Sequence, residues 1–371
     1  MATNIQKGTK VPYIPGTKPS IKNAQLLIST GITSLDSIIG GGLPIGSILV
    51  IEEDNYGNYA KIMLNYFLAE GIVSSHELFV ASQDTQPSQL ISELPAVIEN
   101  PSSSISSIND DKMQIAWRYQ NMRVADLSDN EQTFGHYYDL TKKMDKDTID
   151  RAKIIQWNGE KNIYFNDFKW NKYLNGFNNL LYIDLLKNIQ ESLKNENFYV
   201  NANPHKRNIL RIGIHSLGSR LWLSDVQSDT DADFLKFFYC FRALLRSSYA
   251  VAVITVPVKN FETHSSVIGR MEHMADTAIA LESFAGSPKE TNPIFKDYHG
   301  LLHIKKMAAI NTLAAFNPKT YDLAFKMRRK KFVIETLHLP PEFGETTQRE
   351  QDDSPTGCGG AQRDRLDEQL Q

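Results

Sequence analysis

Three consecutive acids, Glu52, Glu53 and Asp54, follow the apolar run SILVI and precede the segment NYGNYAKIMLNYFLAEG. An apolar strand that runs through a short loop into a helix is a layout in which backbone N–H groups and a helix N-terminus hold phosphate. Such a loop needs glycine, so that bare N–H groups reach the anion, and a lysine to add positive charge. Here the loop supplies carboxylates. One like-charge contact at about 4 Å costs about 4 kcal/mol at an effective dielectric of about 20, and about 1.4 kcal/mol already changes an affinity tenfold. Local chemistry therefore opposes phosphate where the local layout invites it.

The elements that must position these residues follow from the pattern on either side. SLDSIIGGG reads as a short helix stopped by Gly40, Gly41 and Gly42. SILVI, without polar alternation, reads as a strand of a parallel sheet covered on both faces. AKIMLNYFLAEG is the next helix, with Gly71 as its expected C-cap, and ELFVAS the next strand. Farther on, NILRIGIHSL and YAVAVITVPV are strands on either side of the helix DADFLKFFYCFRALLRSS. MEHMADTAIALESF gives a helix and a strand, and YHGLLHIKKM and DLAFKMRRKKFVIETLHLPP are β-rich. Alternating strands and helices predict an α/β fold with a mainly parallel central sheet flanked by helices. Residues 1–20 read as a flexible N-terminal extension, 21–345 as one folded domain and 346–371 as a disordered polar tail. Within the domain, 85–205 is irregular: a Ser-rich linker, NPSSSISSINDD, then MQIAWRYQN, then a polar and aromatic insertion over roughly residues 128–170.

Composition excludes several classes. The 371-residue chain has a net charge of -3, so no global basic signature marks it for nucleic acid, and any such contact must come from a local patch. Cys240 and Cys358 have no metal-ligand spacing, and Cys240 falls in an apolar helical pattern as a small core residue. No apolar run reaches the ~18 residues of a membrane helix, and the polar start MATNIQKGTK is no secretory signal. The expectation is a cytoplasmic protein, with the nucleus as a second location, without cofactor or metal.

STGITSLDSIIGGGLPIGSILVI followed by YFLAEG resembles the opening of the RecA-like ATPase core in its KaiC and RadA branch, where a TG…LD…GGG…G preamble leads into the first strand and the phosphate loop. Counting back from Gly71 puts the consensus GxxxxGK[ST] on Asp54–Lys61. Asp54 and Tyr59 then replace the glycines, Ala60 the lysine, and Lys61 the Ser/Thr that would bind Mg²⁺. A register slid by one aligns Lys61 with the lysine but leaves Ala60 for a glycine and Ile62 for the Mg²⁺ ligand. His215 occupies the place of the strand-end Asp that holds Mg²⁺ through water, and the plainer reading of it is a hydrogen-bonded strand-end residue. Within this group the chain most resembles the Elongator complex protein 4 family, through the GTKPS lead-in, the degenerate loop after GSILVIEED, the IAWRY segment and the HLPPE end of the core, over roughly residues 15–345.

That resemblance implies a non-catalytic ring component. It would sit in a heterohexamer with Elongator subunits five and six, beside the catalytic Elongator subcomplex, and support tRNA binding and wobble-uridine modification. Two rival functions remain open on the residues: a divergent RecA-like ATPase, and a scaffold built on a dead ATPase core with no RNA partner. Tyr56 and Tyr59 are either interface anchors or covers of the empty pocket. By analogy with the nucleic-acid loops of RecA-like rings, Arg220, Lys259, His264 and Arg270 are the first candidates for RNA contact. The alternative is KMRRKK, with Arg328, Arg329 and Lys330, although a basic run at a strand edge is more often a solvated guard against aggregation.

Overall fold

The computed structural model describes residues 14–20, 24–98, 135–159, 176–222 and 230–338. The Ser-rich linker, the IAWRY segment and the tail from residue 346 lie outside the described residues.

A small antiparallel sheet opens the chain, with β1 (Thr17–Pro19), β2 (Leu26–Ile28) and β3 (Leu43–Pro44). Helix α1 (Thr33–Ile38) lies between β2 and β3. The central sheet begins with β4 (Ile48–Glu52), which runs through the acidic loop into α2 (Asn58–Val73) and on to β5 (Glu77–Ser82). Helix α3 (Pro87–Ser92) follows, then the antiparallel ribbon of β6 (Pro95–Val97) and β7 (Tyr138–Lys143), helix α4 (Lys146–Arg151), β8 (Ile154–Trp157) and α5 (Leu180–Asn195). The second half comprises β9 (Leu210–His215), α6 (Thr230–Arg246), β10 (Ala250–Val256), α7 (Ser265–Met274) and β11 (Thr277–Ser283), then β12 (Gly300–Lys306), β13 (Leu323–Arg328) and β14 (Lys331–Thr336).

Nine strands form the central sheet in the order β14-β13-β12-β11-β4-β10-β9-β5-β8. The pairings from β11 through β8 are all parallel, and β12, β13 and β14 extend the sheet antiparallel. The expected α/β fold with a mainly parallel sheet is thus present. Its strands are buried on both faces because residues of alternate parity feed two cores. Leu49 and Ile51 of β4 and Val251 and Val253 of β10 pack on the α2 side. Ile48, Val50, Ala252 and Ile254 pack on the side of α5, α6 and α7.

Three sequence expectations are corrected. Gly71 does not cap α2, which continues to Val73; a Cβ there would lie 2.5 Å from Leu78 Cδ2 and 2.7 Å from Arg211 Cδ, so glycine permits a close approach of helix to sheet. The polar stretch taken as a surface insertion contributes β8, which pairs parallel to β5 and ends the main sheet. The irregular stretch also contains α5, a regular two-sided helix that buries Tyr182, Leu185, Leu186, Ile189 and Leu193 against the second core. Cys240 of α6 is half-buried beside that core.

Candidate functional site

The acidic loop lies at the C-terminal ends of the central parallel strands, the place where open α/β sheets carry their ligands. A cavity of about 500 Å³ opens there, lined by Glu53, Asp54, Tyr56, Lys61, Asp84, His215 and Lys259 among others. The frame of a phosphate site is therefore present.

Its anion position is already filled from within. Asp54 is buried, and its carboxylate accepts the backbone N–H of Tyr59 (3.0 Å) and of Ala60 (3.3 Å) through one oxygen and that of Tyr56 (3.4 Å) through the other. Tyr59 and Ala60 are the second and third residues of α2, whose N–H groups have no partner inside the helix. Those N–H groups and the positive end of the helix are what a phosphate would use. The side chain of Asp54 takes that role as an internal cap. Gly57, with φ of 68°, makes the turn that allows it. Asp54→Ala should lower folding stability by about 1–2 kcal/mol, measured by chemical denaturation.

The two other acids diverge. Sequence reading brought all three carboxylates to the nucleotide position; the pleat instead sends Glu52 to the opposite side of the strand, outside the cavity lining. Glu53 ties three strand ends together: its carboxylate accepts the hydroxyls of Ser216 (2.7 Å), just after β9, and of Thr255 (2.6 Å), at the end of β10. Burial raises the Glu53 pKa despite these two hydrogen bonds. Glu52 is buried, shares a hydrogen bond with Glu272 of α7, and is pushed up to about 8 by burial and by that second carboxyl. The folded chain thus holds a proton that the unfolded chain releases near its ordinary value of 4.5. The stability this gives is intact below about pH 4.5 and is lost as pH rises through about 8. Glu52→Gln should flatten the fall in melting temperature between pH 5 and pH 9, removing a slope worth about 2 kcal/mol after solvent screening.

Lys61 does not face a free anion position, since its ammonium pairs with Glu93 at 2.8 Å. His215 is buried at the end of β9, with Nδ1 3.2 Å from the Ser82 hydroxyl, and burial together with Lys61 lowers its pKa to about 4, leaving it neutral near pH 7. No group of three or more His, Cys, Asp or Glu side chains arranged for a metal occurs among the described residues. Tyr59 turns inward, its ring 4.7 Å from that of Phe325 and 6.3 Å from that of Phe332, whereas Tyr56 is exposed at the cavity mouth.

The first basic set divides. Arg220 and Lys259 meet at a second, smaller cavity adjoining the first, Lys259 lining both. Arg270 is exposed on α7 and lines neither cavity, and the side chain of His264 lies outside the described residues. In the second set, at the β13–β14 turn, Arg328 pairs with Glu335 (3.1 Å) and Lys330 with Asp139 (3.6 Å), while Arg329 is exposed. Lys326 also pairs with Glu335 and Lys331 lies over the Tyr137 ring, so much of this run's charge is engaged within the chain. The anchoring partners Ser216, Thr255 and Glu272 were invisible in the sequence, because only strand order brings them to the loop.

The sequence profile of the PAXNEB protein family matches residues 10–367. A zebrafish (Danio rerio) protein named Elongator complex protein 4 is 45% identical over 377 residues, covering 96% of this chain and 93% of its own length. The human protein of the same name is 40% identical over 92% of this chain and 83% of its own, and that of Saccharomyces cerevisiae is 23% identical over 89% and 77%. Among solved structures, a KaiC-like protein from the archaeon Pyrococcus horikoshii aligns over 84% of this chain and 99% of its own with 14% identity and a TM-score of 0.47. On the profile and the level of identity to these relatives, the chain belongs to the PAXNEB family, the family of Elongator complex protein 4.

Proposed function

We propose that this chain is a non-catalytic, RecA-like subunit of the Elongator complex, part of a heterohexameric ring with Elongator subunits five and six, and that the ring supports tRNA binding and wobble-uridine modification by the catalytic subcomplex. Family membership supports its place in Elongator. The observation that carries the non-catalytic part is Asp54: a carboxylate of the chain occupies the helix N–H groups that would receive a phosphate. The frame of the ATPase is kept and its ligand position is closed, as suits a fold retained for the surfaces on which neighbours dock. The tRNA part rests on the cationic pair Arg220 and Lys259, exposed together beyond the ends of the central strands. Contacts of this kind to phosphate are salt-sensitive and largely sequence-blind. Such a protein works in the cytoplasm, with the nucleus as a second location.

Purification of the tagged chain from cells tests the assembly. Subunits five and six should accompany it in stoichiometric amount, and mixing the three purified chains should give a single larger species. A chain that stays monomeric in that mixture and brings down neither subunit would leave the rival scaffold reading in place.

A further inference from the structure

A second concentration of positive charge lies at the other end of the central sheet from the cavity, where β4 and β11 begin. Asp276, just before β11, is buried, and one of its oxygens accepts the backbone N–H of Ile48 at the start of β4 (2.9 Å). Its other oxygen is shared by two guanidiniums of α6, that of Arg246 and, at 3.4 Å, that of Arg242. Beside them Lys306, at the end of β12, donates to the carbonyls of Ala275 (2.7 Å) and His273. Three cations thus gather round one carboxylate.

The fold does not need all three. Arg246 alone meets the structural demand of this corner: it pairs with Asp276, donates to the Gly46 carbonyl (3.2 Å) and sits in the last turn of α6, where the helix dipole favours a cation. Arg242 adds little to this, since its contact with Asp276 is long and its side chain is 38% exposed. Like charges one helix turn apart repel, and Arg242 and Arg246 are such a pair. Burial and then Arg242, with Arg246 adding to it, hold the Lys306 pKa below its ordinary value. Positive charge is therefore concentrated here at a cost to the free chain, and an anion from outside would relieve it.

The surroundings indicate which anion. Tyr239, three residues before Arg242 and so on the same side of α6, is 73% exposed. It is the only large apolar side chain exposed on α6, α7 or β12 among the described residues, so this surface lacks the apolar centre of a protein-docking patch. An open aromatic ring beside exposed cations is the equipment that binds a single-stranded nucleic acid, the ring stacking on a base while the cations hold phosphates. Helix α7 extends the surface. It follows the turn that carries Lys259, runs for about 15 Å, exposes Arg270 and ends against Lys306 through the His273 carbonyl. We infer that this corner is a second RNA contact, in which Arg242, Arg246 and Lys306 hold backbone phosphates of a single-stranded segment and Tyr239 stacks on one of its bases. The inference rests on the reading of the chain as part of an RNA-binding ring and adds a site at the far end of the sheet.

The test uses the assembled complex of the full chain with subunits five and six, and filter binding of a fluorescent oligouridylate across a salt series, with tRNA measured in parallel. Arg242→Gln should weaken the oligomer several-fold and lower the salt slope by about 0.7, and Arg242→Lys should restore the slope. Tyr239→Ala should weaken it about tenfold with the slope unchanged. Both side chains lie on the surface, so assembly and melting temperature should change little. The inference is overturned if either Arg242→Gln or Tyr239→Ala binds the oligomer as the wild type does, or if the wild type binds tRNA but not the oligomer. In each of these cases tRNA binding survives and the broader functional reading with it. It is overturned as well if Arg242→Gln releases subunit five or six, which would make this corner a protein contact. A complex that binds neither tRNA nor the oligomer overturns the RNA part of both.

Discussion

Arg211→Ala should lower folding stability by about 3–5 kcal/mol, read as a shift of the denaturation midpoint in the full-length chain. Arg211 is 0% exposed and lies on the central strand β9 facing α2. Its guanidinium donates to the carbonyls of Ser29 (2.8 Å) and Phe67 (3.1 Å) and to Nδ1 of His76 (3.0 Å), and it rests 4.8 Å over the Phe67 ring. His76 passes the interaction on, since its Nε2 donates to the carbonyl of Pro15 at 2.8 Å and so ties the N-terminal segment to the sheet. Burial and the neighbouring Arg211 push the His76 pKa down to about 3, which keeps the ring neutral and able to accept from the guanidinium. Glu70 supplies the balancing charge. Burial works against its ionisation, but hydrogen bonds from His136 and Tyr138 and the charge of Arg211 overcome it and hold the carboxyl below its ordinary range. Removing the arginine takes this donor from two carbonyls and leaves the buried Glu70 carboxylate without its balancing charge in the core. Gly71 belongs to the same device, because any side chain there would strike the arginine stem.

The second large effect concerns RNA. Changing Arg220, Lys259 and Arg270 together to Glu should weaken tRNA binding by the assembled ring by at least about tenfold at physiological salt and reduce the salt slope by about 2. All three are exposed, so assembly and melting temperature should change little. Reversal of Arg328, Arg329 and Lys330 should leave affinity within about twofold, since Glu335 and Asp139 already engage two of them. Filter binding across a salt series reads both sets. If the second set alone moves affinity and slope, the RNA surface is the β13–β14 turn.

Much of the fold was legible because the strands SILVI, ELFVAS and YAVAVITVPV are continuous apolar runs, as a sheet buried on both faces requires. Strand β8 escaped notice because IIQW is short and sits in polar text, and only its pairing with Leu78–Ala81 makes it part of the sheet. Gly71 misled for a plain physical reason: glycine near a helix end signals a cap, and here it signals a close neighbour from another strand. At the site, the loss of each phosphate-loop residue was legible letter by letter. The destination of the acids was not. An aspartate three residues before the capping glycine satisfies the helix N–H groups only through a turn that the sequence does not dictate. Arg242, Arg246 and Lys306 could not be grouped either, since Asp276, just before β11, and Lys306, at the end of β12, meet α6 only in the folded sheet.

The central claim is that Asp54 closes the phosphate position and leaves this subunit without a nucleotide site. Isothermal titration of the purified full-length chain with Mg·ATP tests it most directly. The expected result is no saturable heat at any ATP concentration up to the millimolar range, since both glycines, the lysine and the Mg²⁺ ligands are replaced and the helix N-terminus is capped from within. Saturable binding in the micromolar range by this chain alone would contradict it.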